Sequence, residues 1–216
     1  MKSKQILVAL ATIFLVVSCK TSPFTGKKTL NAYSNETIFP MAFQQYNQFL
    51  EENTVVRGTA EAQMVQRVGN NIAKAAERYM TALGYPNYLD EYRWEYNLVQ
   101  DEAVNAFCMP GGKIAVYTGI LKITKNKHGL AAVMGHEIAH AVAKHSIERA
   151  SRALILNVGT QIADIASGGA ISRTSRATGV DVAGMLRTFG IDNPFGRKQE
   201  TEADYLGLIF SALAGY

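Results

Sequence analysis

The spacing of apolar residues predicts a chain made mainly of helices. Over several stretches, apolar residues recur every three or four positions, which is the pattern of a helix with one face packed against a core. Pro40 falls in the first turns of its helix, where proline is tolerated, and Gly84 and Pro86 end the next one. The helices are predicted at about 36–51, 59–83, 119–124, 128–152 and 198–213.

Between the second and third helices the pattern changes to alternation, which predicts strands. Residues 91–99 alternate aromatic or apolar side chains with polar ones, so that one face of the strand is wet. Residues 105–112 predict a strand and a turn, and residues 113–118 predict a third strand. The predicted fold is therefore α+β and mainly helical, with a small antiparallel sheet.

The segment after the longest helix is less regular. Residues 153–166 are apolar, but Gly159 and several polar residues within them argue against a transmembrane span. Residues 167–181 are rich in glycine, serine and arginine, which indicates a mobile loop near a cleft. A short helix at 182–189 and a turn at 192–194 are predicted to lead into the last helix.

The first residues resemble a bacterial lipoprotein signal peptide. Lys2 and Lys4 make the first residues basic. The apolar run that follows, over 6–17, is too short to span a bilayer comfortably. Val16-Val17-Ser18-Cys19 resembles a lipobox, in which the cysteine becomes the acylated first residue of the mature chain. The alternative is an ordinary secretory signal cut nearby, with Cys19 incidental.

This interpretation divides the chain into a signal peptide (1–18), a lipidated tether (19–35) and one domain (36–216). The expected location is the bacterial periplasm, with a lipid anchor at Cys19. Lys20, rather than an aspartate, follows the cysteine and favours the outer membrane over the inner one.

The composition is that of an ordinary globular protein, with 48% hydrophobic and 19% charged residues in a chain of 216. The formal net charge of +4 falls to +2 when the two lysines of residues 1–18 are removed. This small excess gives no argument for a nucleic-acid partner. If Cys19 carries lipid, Cys108 has no cysteine partner, and it is predicted to be a buried small hydrophobe.

Candidate chemistry centres on His136-Glu137-Ile138-Ala139-His140, an H-E-x-x-H sequence on the longest helix. Histidines four residues apart lie on one face, about 6 Å apart along the axis, so both imidazoles can reach one zinc ion. Glu137 projects beside them, where it can take a proton from water acidified by zinc. The sequence could also arise by chance on an amphipathic helix. Against this, all 4 histidines fall within 128–145, and the apolar flanks predict burial, which requires partners.

Two histidines leave a catalytic zinc ion one protein ligand short. One extended zincin pattern, H-E-x-x-H-x-x-G-x-x-H, fails because Ala143 and Ser146 occupy its later positions. On a continuous helix, His145 lies about 140° around the axis from His140, so it is predicted to point elsewhere as a hydrogen-bonded structural residue. The remaining solution is a glutamate from a later helix.

The last helix offers this glutamate. Glu200 and Asp204 share a face, so Glu200 can bind zinc while Asp204 orients a ligand imidazole. Glu202 lies about 200° around the helix from Glu200 and is predicted to face away. The alternative is a charged and solvated helix start, because acidic residues favour the first turn.

Together these motifs resemble a known family. HEIAH followed by Lys144-His145, and then Glu200-Thr201-Glu202-Ala203-Asp204, resemble the zinc metallopeptidases of family forty-eight, the HtpX-, Oma- and CAAX-prenyl-endoprotease-like gluzincins. The segment from Asn105 to Gly119 is similar to the family's strand ahead of the active-site helix. The lipobox resembles the soluble periplasmic lipoprotein branch of BepA- and LoiP-like proteins. The resemblance covers residues 23–216.

The resemblance implies a zincin-like (gluzincin) fold with the small sheet beside the active-site helix. It implies one zinc ion per chain, bound by His136, His140 and Glu200, with Glu137 and Asp204 as catalytic residues.

The resemblance also implies a substrate extended along the edge strand at Asn105, Ala106 and Phe107 and held by backbone hydrogen bonds. Family members usually continue past the position of Tyr216 with a helix that carries a histidine or arginine near the zinc. The domain is therefore expected to be truncated at its C-terminus, and the residue that stabilises the oxyanion is unassigned.

The predicted function is a zinc-dependent endopeptidase that cleaves unfolded or misassembled envelope proteins, with the outer-membrane assembly machinery as a further partner. The first rival is a chaperone or assembly factor that binds unfolded outer-membrane proteins, with latent or structural zinc. A second rival, a zinc hydrolase acting on a non-peptide substrate, fits HEIAH alone but not the other motifs.

Overall fold

A computed structural model describes residues 19–154 and 196–216. The predicted signal peptide, the glycine-rich loop, the helix at 182–189, the turn at 192–194 and most of the apolar stretch lie outside these residues. The helices are α1 Asn35–Glu52, α2 Ala60–Ala82, α3 Thr118–Thr124, α4 Lys127–Val142, α5 over 145–154 and α6 Arg197–Leu213. The strands are β1 Cys19–Thr21, β2 Lys28–Leu30, β3 Val55–Val56, β4 Glu95–Val99, β5 Ala106–Met109 and β6 Lys113–Tyr117.

Four strands form one sheet in the order β3-β4-β6-β5. β3 is antiparallel to β4, and β5 is antiparallel to β6, whereas β4 and β6 run parallel. The parallel pair arises because β5 and β6 form a hairpin whose second strand, rather than its first, lies beside β4. The predicted α+β, mainly helical, zincin-like class is confirmed, and the sheet departs from a wholly antiparallel one in this single pairing.

The helix α2 shows how the sequence sets an element's ends. The Thr59 hydroxyl accepts the N–H of Ala62 at 3.2 Å and so caps the first turn. At the other end Gly84 adopts φ +88°, which an L side chain rarely takes, and its N–H bonds to the carbonyl of Thr81. The predicted apolar stripe is buried, with Val65, Val68, Ile72 and Met80 each at most 1% exposed.

The segment predicted as a tether contains a hairpin. β1 and β2 pair Cys19 with Leu30 and Thr21 with Lys28. Further on, the N–H of Ala32 donates to Ser151 Oγ at 2.9 Å, which bonds the segment to α5. Composition alone indicated a tether, because composition does not register which residues pair with one another.

The longest predicted helix is interrupted, which corrects the expectation of one helix from 128 to 152. α4 ends at Val142, and Lys144 adopts φ +59° before α5 begins. Two tyrosines cap the end of α4, since Tyr92 donates its hydroxyl to Ala141 O at 2.8 Å and Tyr88 donates to Val142 O at 3.1 Å. These tertiary partners stabilise carbonyls that a continuing helix would have bonded itself.

α4 lies at the centre of the molecule and packs closely on α6. A Cβ atom at Gly207 would lie 2.7 Å from the backbone N of His136 and 2.8 Å from the carbonyl carbon of Gly135. Only glycine therefore allows α6 to approach α4 at this height. The contact sets how closely the middle of α6 lies to the first histidine of the H-E-x-x-H segment.

Within residues 19–154 and 196–216, no helix combines the length and the apolar character needed to cross a membrane.

Candidate metal centre

Helix α4 presents two histidines to one point. Its first turn is capped by Asn126, whose Oδ1 accepts the N–H groups of His128 and Gly129 at 2.9 and 3.1 Å. Three turns later the Nε2 atoms of His136 and His140 lie 2.9 Å apart. The four-residue spacing therefore brings one nitrogen from each ring to the same place, as predicted.

Helix α6 supplies a carboxylate to this point. Glu200 lies in the first turn of α6, with Oε2 3.5 Å from His136 Nε2 and Oε1 3.6 Å from His140 Nε2. The donor atoms of the three residues all lie within 4.8 Å of one another. Tetrahedral ligands about 2.0–2.1 Å from one zinc ion are themselves about 3.4 Å apart, so this donor set fits a metal ion.

One helical turn after Glu200, Asp204 reaches the far side of the His136 ring. Its Oδ1 lies 2.8 Å from His136 Nδ1. The sequence placed Asp204 on the same face as Glu200, and the structure brings both carboxylates to one histidine. A neutral His136 whose proton is on Nδ1 donates it to Asp204 and leaves the Nε2 lone pair directed at the cluster.

Glu137 lies between the cluster and the sheet. Burial, followed by the negative charge of Glu200, raises the pKa of Glu137 to about 8, while a hydrogen bond from the backbone N–H of Cys108 acts to lower it. Cys108 is on β5, so this carboxylate contacts the strand predicted to hold a substrate. The thiol of Cys108 is itself buried, as predicted, and burial raises its pKa.

His140 is held as a neutral imidazole. It is 1% exposed, and burial lowers its pKa to about 2, with further electrostatic lowering from the neighbouring side chains of His145, His136 and Arg149. A neutral imidazole is the form that binds a metal ion. The environment of α4 thus favours the required protonation state before any ligand is bound.

The direction predicted for His145 is wrong, whereas the direction predicted for Glu202 is right. His145 was predicted to point away from His140, but its Nδ1 lies 2.9 Å from His140 Nδ1, because the turn at Lys144 redirects the chain. Glu202 was predicted to face away, and its Oε2 lies 3.5 Å from His145 Nε2. Glu202 does point away from the place where the donor atoms of His136, His140 and Glu200 converge, and α5 occupies that side of α6. The clustering of histidines was the only sequence signal for this contact.

The predicted substrate-binding residues lie at one edge of the sheet. Within the described part of the chain β5 pairs with β6 alone, and Ala106 and Phe107 belong to β5. Asn105 precedes the strand and accepts the N–H of Tyr117 through its carbonyl. Bonding groups alternate along an antiparallel strand, so the N–H and C=O of Ala106 and Cys108 point away from β6, consistent with the Cys108–Glu137 contact.

The mainly helical α+β fold, with two histidines and a glutamate converging beside a sheet edge, defines a zincin-like metallopeptidase. The profile of Peptidase family M48 matches residues 60–216. This match covers well over half of the chain, and the chain belongs to peptidase family M48. The family predicted from the motifs is therefore confirmed.

Characterised relatives agree with this membership. Mitochondrial metalloendopeptidase OMA1 of Schizosaccharomyces pombe is 30% identical over 210 residues, which are 96% of this chain and 57% of that protein. Two Escherichia coli (strain K12) proteins are also similar. Metalloprotease YcaL is 28% identical over 211 residues (94% of this chain, 78% of YcaL), and metalloprotease LoiP is 25% identical over 209 (94% and 77%). The chain spans little more than half of the fission-yeast relative, and these names together support a metalloendopeptidase.

Proposed function

We propose that this chain is a zinc-dependent endopeptidase whose metal is held by His136, His140 and Glu200. The observation that carries the proposal is the convergence of their donor atoms within 4.8 Å, from two helices, beside the Glu137 carboxylate. Two imidazole nitrogens and one carboxylate are a typical ligand set of catalytic zinc, whereas magnesium and calcium prefer oxygen ligands alone.

When bound here, zinc would polarise the scissile carbonyl and lower the pKa of a neighbouring water to about 7. Glu137 is the general base. It takes the proton of the attacking water and passes it to the leaving amine nitrogen. Asp204 accepts the Nδ1 proton of His136 and so keeps that ring oriented for metal binding.

The edge of β5 that pairs with no other strand among residues 19–154 and 196–216 supports an extended peptide as the substrate. The outward N–H and C=O groups of Ala106 offer backbone hydrogen bonds to an added strand, and they do so next to Glu137. Such pairing needs a segment that is not already hydrogen-bonded within a fold. Unfolded or misassembled proteins meet this requirement, so we propose them as substrates.

We further propose that the protein acts in the bacterial periplasm, anchored by lipid at Cys19, and takes its substrates from the cell envelope, where outer-membrane assembly machinery is a partner. The apolar run over 6–17 and the lipobox-like sequence before Cys19 support this. Labelling of cells with radioactive palmitate should mark the wild-type protein in the membrane fraction and fail to mark Cys19→Ser. Equal labelling of both would contradict the anchor.

Cleavage of a disordered protein such as casein tests the activity. We expect cleavage by the purified chain with zinc, loss of cleavage with a chelator, and recovery when zinc is restored. Glu137→Gln should lower kcat by about 10²–10⁴-fold, the usual contribution of a general base. Glu61→Gln, which changes an exposed carboxylate at the start of α2, is the matched control.

The outcomes separate the rival functions. If the zinc-loaded chain binds casein without cutting it, and Glu137→Gln binds equally, a chaperone or assembly factor replaces the peptidase. If Glu137→Gln cuts as fast as the wild type, the carboxylate is not the base, and the proposed mechanism is wrong.

A further inference from the structure

The Nδ1 atoms of the two clustered histidines, on the side of each ring away from Glu200, contact different partners. His136 Nδ1 contacts a carboxylate directly, through Asp204 Oδ1 at 2.8 Å. His140 Nδ1 instead contacts another imidazole, through His145 Nδ1 at 2.9 Å. The two rings meet at a steep angle of 72°, with their centroids 5.0 Å apart. The contact is therefore a nitrogen-to-nitrogen approach rather than ring stacking.

The histidine behind His140 is followed by a carboxylate. His145 Nε2 lies 3.5 Å from Glu202 Oε2. Glu202 lies midway between Glu200 and Asp204 on α6, so the same helix provides a carboxylate to the cluster and one to each of the two supporting contacts. His140, His145 and Glu202 thus form a continuous series of polar contacts between α4, α5 and α6.

The positions of the protons along this series follow from the groups at its two ends, His140 Nε2 and the Glu202 carboxylate. A neutral imidazole carries one N–H, and His140 Nε2 must present a lone pair to the cluster, so the proton of His140 is on Nδ1. That N–H donates to His145 Nδ1, which must then be the acceptor nitrogen. The proton of His145 is consequently on Nε2, where it faces the Glu202 carboxylate. The negative charge of Glu202 therefore selects one tautomer for both rings.

We propose that His145 and Glu202 form a relay that positions His140 for metal binding, with His145 as a positioning residue rather than a ligand. This proposal rests on the metal centre described under the proposed function, and it adds a second supporting contact beside that of Asp204 to His136. It assigns a role to the H-x₄-H spacing of His140 and His145 and to the middle glutamate of the Glu200–Asp204 segment.

Burial explains why the supporting contacts of His136 and His140 differ. The His136 side chain is 25% exposed, and its partner Asp204 is 72% exposed, so a direct carboxylate costs little desolvation there. The His140 and His145 side chains are only 1% and 3% exposed. A carboxylate placed directly behind His140 would be buried, which is unfavourable for a charge. The neutral ring of His145 bridges to Glu202, which is 23% exposed and keeps contact with water.

Two amide substitutions at position 145 separate the two halves of the relay. Asparagine places its amide oxygen where Nδ1 was, so His145→Asn keeps the acceptor for His140. Glutamine reaches the position of Nε2, so His145→Gln keeps the contact with Glu202 but removes that acceptor. Glu202→Ala removes the carboxylate end of the relay at a side chain that is 23% exposed.

The measurement is the affinity of the purified chain for Co²⁺ and Zn²⁺, by competition with a chelator, together with the visible spectrum of the Co²⁺ form. We expect His145→Gln to weaken metal binding by about 10–100-fold and to alter the Co²⁺ bands, as loss of a supporting hydrogen bond does in other metal sites. His145→Asn should stay within about threefold of the wild type, and Glu202→Ala should lose about tenfold. Glu148→Gln, which changes the carboxylate that contacts Arg152 and Gln199, is the control and should bind as the wild type does.

Equal affinities for the two position-145 variants, or a Glu202→Ala affinity equal to that of Glu148→Gln, would overturn the relay while leaving the metal centre intact. A wild type that binds neither ion would overturn the metal centre itself, and the relay with it. If His145→Gln does not fold, as shown by circular dichroism, the comparison of Glu202→Ala with Glu148→Gln decides the matter.

Discussion

At the scale of single residues, the metal-free site holds His140 in the protonation state that it needs and Glu137 in the opposite one. Burial keeps His140 neutral, and burial together with the negative charge of Glu200 favours the protonated form of Glu137. A general base must be ionised to work, so the metal-free site holds Glu137 in an unfavourable state. A bound cation would offset this by neutralising the negative charge of Glu200.

A stability measurement on metal-free protein tests this conflict. The folded pKa of Glu137, about 8, lies above the ordinary value of 4.5. The folded state therefore binds the proton more strongly between these values, and its stability falls as the pH rises from about 5 to 8. Glu137→Gln cannot ionise, so its advantage over the wild type should grow with pH, by up to about 1.4 kcal/mol per pH unit. Urea unfolding at pH 5, 6.5 and 8 in the presence of a chelator measures the difference.

A constant difference between the two proteins across this range would show that Glu137 ionises normally in the fold. Glu61→Gln serves as the control for removing a carboxylate, here an exposed one at the start of α2.

At the scale of elements, the site depends on the crossing of α4 and α6. Gly207 on α6 lies against Gly135 and the backbone of His136 on α4. Helix α4 carries the two histidines, and α6 carries Glu200 and Asp204. The interruption of α4 at Lys144 matters equally, because it turns α5 back so that His145 reaches His140. The close crossing and the sharp turn together set which side chains meet.

Gly207→Ala tests the crossing. Helix propensity alone predicts that alanine would stabilise α6 by about 1 kcal/mol. The new Cβ would meet the backbone of α4, which cannot shift without moving His136, so we expect a net loss of about 1–3 kcal/mol and a weaker affinity for zinc. Urea unfolding and chelator competition give both quantities.

Leu208→Ala is the matched control, because Leu208 follows Gly207 on α6 and is 69% exposed. It should change neither quantity by much. A stabilised Gly207→Ala protein with unaltered zinc affinity would show that the helices have room for a methyl group at this point.

At the scale of the whole molecule, the candidate centre joins parts of the chain that are far apart in sequence. His136 and His140 come from α4, Glu200 comes from α6, and the Cys108 N–H that contacts Glu137 comes from β5. An ion held by both helices would cross-link them. Metal binding is therefore expected to stabilise the folded protein as a whole.

Thermal unfolding with and without zinc tests this coupling. A ligand that binds only the folded state adds about 2.7 kcal/mol at a free concentration 100 times its Kd, which raises Tm by several degrees in a protein of this size. Glu200→Ala should lose most of that rise, because one helix no longer contributes a ligand. His128→Ala, which removes a histidine that packs against Tyr216 outside the cluster, should keep it. No zinc-dependent rise in the wild type would argue against a metal shared by α4 and α6.

The sequence by itself determined the features that depend on local spacing. The four-residue spacing in HEIAH placed His136 and His140 on one face, and the same spacing placed Glu200 and Asp204 together, because helix geometry is the same wherever a helix forms. The burial of Cys108 and the end of α2 near Gly84 also followed from residue type. The family could be recognised from these motifs alone.

Only the tertiary structure decided the rest. The positive φ of Lys144 and the parallel pairing of β4 with β6 depend on contacts between residues distant in sequence. The helix geometry that correctly placed His136 and His140 misplaced His145, because it assumed a helix that continues past Val142. Tyr88 and Tyr92 bond to the last carbonyls of α4 where the chain turns. Local spacing determines which side chains share a face, whereas packing between elements determines what that face meets.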